Sequence, residues 1–176
     1  MKKLNIGCGD DVLDGWDNCD AYPTNKFVIE ADVLTLRGIK SNHYDLVSAH
    51  MVLEHVHVDL ISTALHQISR VLKVGGAVNI VVPDMDYFIN LYLELAKGKL
   101  DTTSGMMAYK EVCYQLLDPE LDTNLTTHQC LFNFDFLTYM LIQEGFTDIE
   151  KNKGSQPGVL GVTAMKSEKI STYTGE

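Results

Sequence analysis

The sequence predicts an α/β protein with a Rossmann-like, mostly parallel sheet, helices on both faces and an antiparallel C-terminal hairpin at one edge. Three observations support this fold class. Strand-like and helix-like segments alternate along the chain, which is typical of parallel sheets with helical connections. The first apolar segment runs directly into a turn that contains Gly7 and Gly9. The last two strand-like segments are separated by a short loop only, as expected for a hairpin.

Apolar and β-branched residues indicate seven strands. The first five are predicted at residues 4–6, 16–20, 27–31, 44–49 and 77–82, and the last two at 146–150 and 158–165. Pro83 stops the fifth strand, because proline cannot donate a hydrogen bond to a neighbouring strand. We therefore expect a sheet of about seven strands built by nearly the whole chain.

Helical periodicity is clearest over residues 58–73, where apolar positions recur every three or four residues. Gly75 and Gly76 are predicted to end this helix. Further helices are predicted at 88–95, 107–117 and 135–144, with Gly145 as the C-terminal cap of the last one. We expect a single domain over residues 1–166, with a small helical lid inserted at about 84–127 and a polar tail at 167–176.

Composition narrows the class of partner. The chain has 176 residues, a net charge of −10 and a pI near 4.9, which argues against nucleic acid or an anionic membrane. No apolar stretch approaches the roughly 18 residues of a membrane span, and no signal-peptide pattern follows Met1. The four cysteines have no CxxC spacing. We expect a cytoplasmic protein with reduced thiols and a small-molecule substrate; the sequence leaves the oligomeric state open.

Acidic residues follow the glycine turn in an ordered series. Asp20 and Asp32 end the second and third predicted strands, and Asp45 lies on the fourth. The carboxyl ends of parallel strands line one crevice, where carboxylates can accept hydrogen bonds from ribose hydroxyls and a purine amino group. The series favours a nucleoside ligand. NAD is disfavoured, because a third glycine is missing after Gly9 and the carboxylates would repel a pyrophosphate.

The residues of several segments, taken together, resemble the class I SAM-dependent methyltransferases, and most closely the small methyltransferase-11-like group. The resemblance spans nearly the whole chain. It is carried by residues 4–9 (LNIGCG), 15–20 (GWDNCD), 44–50 (YDLVSAH), 52–56 (VLEHV), 68–76 (ISRVLKVGG) and 81–83 (VVP). It implies S-adenosylmethionine as the cofactor and S-adenosylhomocysteine as the product.

The resemblance also implies a set of binding residues. Gly7 and Gly9 would pass under the methionine part of the cofactor, Asp20 would hold the ribose, and Asp32 would meet the adenine amino group. The complete predicted cofactor-binding set is Asn5, Gly7, Cys8, Gly9, Asp20, Asp32, Val33 and His50. Asn5 stands where the family usually has an acid, and Asp20 lies only 11 positions after Gly9 (20 − 9 = 11).

Two histidines are the predicted catalytic residues. His50 directly follows the fourth strand and is a candidate general base, with packing as the alternative role. His128 lies in a loop that could fold over the active site. His50 and His55 resemble an inverted zinc-protease motif with one extra residue, which turns them away from each other on a helix. The sequence therefore predicts no metal site. A catalytically silent protein of the same fold that binds the cofactor remains the alternative function.

Overall fold

A seven-stranded mixed sheet forms the centre of the described part of the protein. The structure is a computed structural model that describes residues 1–98, 110, 128–152 and 156–168. The spatial order is β3-β2-β1-β4-β5-β7-β6. The pairs among β1 to β5 are parallel, whereas β7 runs antiparallel to both β5 and β6. The predicted fold class, including the antiparallel pair at one edge, is confirmed. The strands are β1 Lys3–Ile6, β2 Asp17–Asp20, β3 Ile29–Glu30, β4 Tyr44–His50, β5 Leu72–Pro83, β6 Phe146–Lys151 and β7 Val159–Lys166.

Three α-helices lie within the described residues: α1 Ile61–Val71, α2 Met85–Ala96 and α3 Phe134–Gln143. Single 3-10 turns at Leu53–His55 and Val58–Leu60 precede α1. Apart from residue 110, which is helical, the predicted helix over 107–117 lies outside the described residues. Within them, no helix combines the length and the apolarity needed to cross a bilayer.

The predicted boundaries around α1 were wrong at both ends. The helix begins at Ile61, after a 3-10 turn, and ends at Val71 rather than at the Gly75–Gly76 pair. Leu72 has extended backbone angles and pairs with Tyr44 of β4. The sheet therefore takes up residues 72–76, which helical periodicity had assigned partly to the helix and partly to its cap.

The apolar core lies between the sheet and the helices α1 and α3. Helix α1 buries Ile61, Ala64, Leu65, Ile68 and Val71, which recur at helical spacing on one face. Helix α3 buries Leu137 and Leu141 and contacts α1, β6 and β7. This packing fixes the strands of the sheet, so that their carboxyl ends form a stable platform.

Arg70, near the end of α1, ties that helix to the loop after β3. Its guanidinium group donates to the backbone oxygens of Thr35, Leu36 and Ile39 at 3.4, 3.1 and 3.0 Å. It also donates to the Ser41 hydroxyl at 2.9 Å. A planar group with five donors is suited to collect several carbonyls in this way. The arginine of the RVLK segment thus holds in place the loop that begins with Asp32.

The connection between β1 and β2 contains no helix. A side-chain network holds its residues 7–16 instead. Asn5 Nδ2 donates to the backbone oxygen of Asp11 and to Asn18 Oδ1, both at 3.1 Å. Asn18 in turn accepts from the Leu13 N–H at 2.9 Å and donates to the oxygens of Leu13 and Trp16 at 3.0 Å. Two buried amides thus take over the ordering of a segment that is too short for a helix.

Candidate functional site

A cavity of about 410 Å³ lies at the carboxyl ends of β1, β2, β3 and β4. This is the edge at which parallel α/β sheets bind ligands. Four residues of the predicted cofactor set line it: Gly7, Asp20, Asp32 and Val33. The remaining lining residues are Ile6, Ala21, Tyr22, Ala31, Leu34, Met51, Val52, His55, Val56, His57, Leu60 and Gln129. We refer to it as the first cavity.

The glycine turn after β1 forms one wall of the first cavity. Gly7 and Gly9 have φ of +63° and +48°, a region that L-residues with side chains rarely adopt. A Cβ on Gly7 would lie only 2.4 Å from Cγ2 of Val52, whereas a Cβ on Gly9 would have no neighbour within 4 Å. Gly7 is therefore required both by the backbone and by close packing, and Gly9 by the backbone alone.

Asp20 joins the end of β2 to the glycine turn. Its Oδ2 accepts from the Gly9 N–H and its Oδ1 from the Tyr22 N–H, each at 2.8 Å. An ionised carboxylate has about four lone-pair sites, so both oxygens keep capacity for a ligand in the cavity. This geometry fixes the orientation of the carboxylate before any ligand binds.

Asp32 lies two residues after the end of β3. Its Oδ1 accepts from the Leu34 N–H at 2.7 Å, and its backbone oxygen accepts from the N–H groups of Thr35 and Leu36. Asp45, the third acid of the predicted series, does not belong to this group. It is the second residue of β4, at the opposite end of the strand, and its Oδ1 is 2.6 Å from Lys73 Nζ. That hydrogen bond lowers the pKa of the Asp45 carboxyl.

The other predicted cofactor residues do not line the first cavity. Asn5 is buried and serves the amide network described above. Cys8 is buried, with its N–H donating to the Cys19 oxygen at 3.1 Å, and burial raises the pKa of its thiol. Gly9 contributes its N–H to Asp20. His50 is the exposed last residue of β4, and the next residue, Met51, lines the cavity in its place.

A second cavity, of about 220 Å³, adjoins the first. Met51 and His55 line both cavities, which places them between the two. The other lining residues of the second cavity are Glu54, Pro83, Phe88, His128, Pro157, Gly158 and Val159. His128, one of the two predicted catalytic residues, thus lines a cavity that adjoins the first cavity.

Backbone hydrogen bonds bring His128 to this position. The Glu54 backbone oxygen accepts from the N–H groups of Gln129 and Cys130 at 2.7 and 3.1 Å. The Gln129 side chain donates to the His55 oxygen at 3.2 Å. The rings of His55 and His128 are consequently 5.1 Å apart between centroids. The strand-to-helix turn after β4 and the segment before α3, which are distant in sequence, form one site.

Glu54 is the functional candidate that sequence reasoning missed. It is 1% exposed, and burial raises the pKa of its carboxyl to about 7. Three atoms lie within 4.8 Å of one another: one carboxylate oxygen of Glu54, one ring nitrogen of His55 and one ring nitrogen of His128. The sequence signal was the charged pair in the VLEHV segment, where a glutamate is surrounded by apolar residues. Its distant partner, His128, could not be paired with it from the sequence.

The sequence and the fold match known proteins at different levels. Residues 16–80, less than half of the chain, match the family model described as a methyltransferase domain. The matched segment runs from the residue before β2 into β5, and so includes Asp20, Asp32, Glu54 and His55. No curated protein has a sequence that matches the chain.

Solved structures with the same fold include several methyltransferases. A SAM-dependent methyltransferase from Archaeoglobus fulgidus has 16% identity and a TM-score of 0.60, over 94% of this chain and 86% of the other. A possible histamine N-methyltransferase from Thermotoga maritima has 14% identity and a TM-score of 0.64, over 94% and 82%. The 1,6-didemethyltoxoflavin-N1-methyltransferase of Burkholderia thailandensis, with bound 1,6-didemethyltoxoflavin and S-adenosylhomocysteine, has 16% and 0.57, over 94% and 71%. At these identities the likeness establishes the fold alone.

Proposed function

We propose that the protein is a SAM-dependent methyltransferase that binds S-adenosylmethionine in the first cavity and a small-molecule acceptor in the second. One observation carries the proposal. The first cavity gathers Gly7, Asp20, Asp32 and Val33 from three successive strand ends, which are residues that the family resemblance assigned to the cofactor. The methyltransferase-domain match over residues 16–80 supports it independently of the cavity.

Within the first cavity, the acids have separate tasks. Asp20 accepts hydrogen bonds from the ribose hydroxyls with the lone pairs that the Gly9 and Tyr22 N–H groups leave available. Asp32, whose Oδ1 bonds the Leu34 N–H, accepts from the adenine amino group with its other oxygen. The adjoining Val33 supplies an apolar surface for the base. The Asn5 side chain already donates to Asp11 and Asn18. The cofactor's ammonium group therefore donates its hydrogen bonds to other acceptors of the glycine turn.

The cofactor supplies an electrophilic methyl group on a positively charged sulfur. The chain itself acts mainly by positioning, because holding the two reactants in line removes a large part of the activation barrier. Met51 and His55 line both cavities, so the acceptor and the methyl group meet beside these two residues. His128 lines the acceptor cavity, where it helps to position the acceptor. The role of His50 stays a prediction, which a His50→Ala variant tests by its rate of methyl transfer.

The acceptor class follows from charge and size. An acidic chain with a net charge of −10 and a cavity of about 220 Å³ suits a small molecule rather than a nucleic acid. Two solved structures of the same fold have names or ligands that indicate small acceptors, histamine and 1,6-didemethyltoxoflavin. The cytoplasmic location predicted from the sequence is part of this proposal.

Isothermal calorimetry with S-adenosylmethionine and S-adenosylhomocysteine tests the cofactor. We expect saturable binding of both, weakened about 10- to 150-fold in Asp20→Asn, since hydrogen bonds to charged groups contribute about 1.5–3 kcal/mol. Asp148→Asn makes the same chemical change at an exposed residue of β6 and serves as the matched control. Absence of binding to the wild type, or equal affinities for the two variants, would contradict the assignment.

The same proteins then test catalysis. Transfer of a radiolabelled methyl group to members of a panel of small hydroxyl, amine and carboxylate compounds is the expected result. Tight S-adenosylhomocysteine binding without transfer to any member of a broad panel would favour the catalytically silent alternative. In that alternative, the protein binds the cofactor in the first cavity but transfers no methyl group to an acceptor.

A further inference from the structure

We propose that Glu54, His55 and His128 form a binding site for one divalent transition-metal cation of the zinc type, with an open position that faces the second cavity. The second part, that this position takes an oxygen atom of the methyl acceptor, rests on the proposed function. The first part does not, because it concerns only the side chains and the ion.

The geometry brings three suitable donor atoms to one place. One carboxylate oxygen and one ring nitrogen from each histidine lie within 4.8 Å of one another. In a tetrahedral zinc site with metal–ligand distances of about 2.1 Å, two ligand atoms lie about 3.4 Å apart. The three donor atoms must therefore approach one another by up to about 1.4 Å to bind one ion.

The buried carboxylate gives an independent reason to expect a cation. Glu54 is 1% exposed, and its Oε2 has no hydrogen-bond partner among the described residues. A polar oxygen buried without a partner costs free energy, and the cost is larger when the group carries charge. Neither lysine nor arginine pairs with Glu54 in the described part of the chain. A bound cation supplies the missing partner at the wall of a cavity.

The donor set defines the class of ion. Two imidazoles and one carboxylate are the ligands of several catalytic zinc sites, in which a fourth position remains open. The same set also suits iron(II). The ligands here are two adjacent residues of a 3-10 turn and one residue that lies 73 positions later (128 − 55 = 73). Such a set differs from the single-helix spacing of zinc proteases, and His50 takes no part in it.

The cavity around the site indicates what the open position holds. Phe88, Pro83 and Val159 give it apolar walls, and a divalent ion with one carboxylate ligand retains a positive charge. This combination fits an acceptor with a ring-sized apolar body and a hydroxyl or carboxylate oxygen. For comparison, a cavity of about 150 Å³ accommodates benzene, and this one measures about 220 Å³.

Titration of the chelator-treated full-length protein with zinc chloride, followed by calorimetry, tests the cation site. We expect one saturable site in the wild type and an affinity lower by at least about 10- to 100-fold in Glu54→Gln and His128→Ala, because even the loss of an outer-shell partner has effects of that size. His66→Ala, which removes an exposed histidine of α1, is the matched control and should bind like the wild type. Circular dichroism confirms that each variant is folded.

Equal zinc affinities in all four proteins, or no saturable site in the wild type, would overturn the proposal. Cobalt(II) then reports the open position. We expect benzohydroxamate, a zinc ligand with oxygen donors and an aromatic ring, to shift the visible absorption of the cobalt-loaded protein. An unchanged spectrum would overturn the acceptor part. Zinc binding in a protein that fails to bind S-adenosylhomocysteine would refute the proposed function and leave the cation site standing.

Discussion

Replacement of Gly7 by alanine tests the geometry of the glycine turn without reference to any ligand. Gly7 has a φ of +63°, and a new Cβ would lie 2.4 Å from Cγ2 and 3.3 Å from Cγ1 of Val52. Gly9, two residues later, has a φ of +48° and open space around its Cα. The two substitutions therefore impose the same kind of backbone strain, and only the first adds a steric clash.

The expected magnitudes follow from this difference. A side chain in the left-handed region costs about 1–2 kcal/mol, which is the whole expected effect of Gly9→Ala on the free energy of unfolding. Overpacking costs roughly 1–3 kcal/mol in addition, so Gly7→Ala should destabilise the protein by about 2–5 kcal/mol. For a chain of this size the melting temperature falls by about 2–4 °C per kcal/mol. The gap between the two variants should therefore be readily measurable.

Urea denaturation of four variants measures the clash directly. In addition to Gly7→Ala and Gly9→Ala, we would compare Val52→Ala with the double variant Gly7→Ala/Val52→Ala. Removing both Cγ atoms of Val52 abolishes the clash, so Gly7→Ala should cost only about 1–2 kcal/mol in the Val52→Ala background. Equal destabilisation by Gly7→Ala in both backgrounds, or equal effects at Gly7 and Gly9, would refute the reasoning.

Further predictions concern residues away from the cavities. Arg70→Lys should destabilise the protein by about 1–3 kcal/mol, because a compact ammonium group cannot span the separate carbonyls that the guanidinium fork reaches. Arg37→Lys makes the same change at an exposed position, and equal stability of the two variants in urea denaturation would contradict this prediction. Burial raises the pKa of Cys19 to about 12 and that of Cys130 to about 11. In a Cys8→Ser/Cys113→Ser background, which leaves only these two cysteines, both thiols should therefore react with iodoacetamide at pH 8 far more slowly than in urea, since the thiolate is the reactive form. Native labelling at the rate of a free thiol would show that they are accessible.

Much of the fold could be predicted because its signals are local. Strand and helix periodicity depends on neighbouring residues, and the order of elements restricts the topology of a parallel sheet. The errors arose where tertiary pairing overrides local preference. Residues 72–76 join β5 because β4 lies beside them. Asp45 is a different case: the predicted strand already began at residue 44, as the structure confirms, so this acid lies at the amino end of β4 and away from the carboxyl ends that line the cavity.

The candidate site could be predicted only in part, for a related reason. Gly7, Asp20 and Asp32 each follow a strand, so their meeting at one edge of the sheet follows from topology alone. The meeting of Glu54 with His128 depends on two backbone hydrogen bonds from the segment before α3 to the Glu54 oxygen. A contact of this kind between two irregular segments has no periodicity. Asn5 was interpreted as standing in the place of an acid that binds the cofactor. In the structure its side chain donates to Asp11 and Asn18, and these contacts with an irregular segment also have no periodicity.

The short connection between β1 and β2 has a consequence for how the chain folds. Parallel neighbours are usually separated by a crossover of a dozen or more residues, but here only residues 7–16 intervene. Closing a shorter loop costs less chain entropy, and local contacts form faster than distant ones. We therefore expect β1 and β2 to pair early and to carry with them the turn that bears Gly7 and Gly9. The ligand-binding edge of the sheet would then be in place before the C-terminal strands complete the fold.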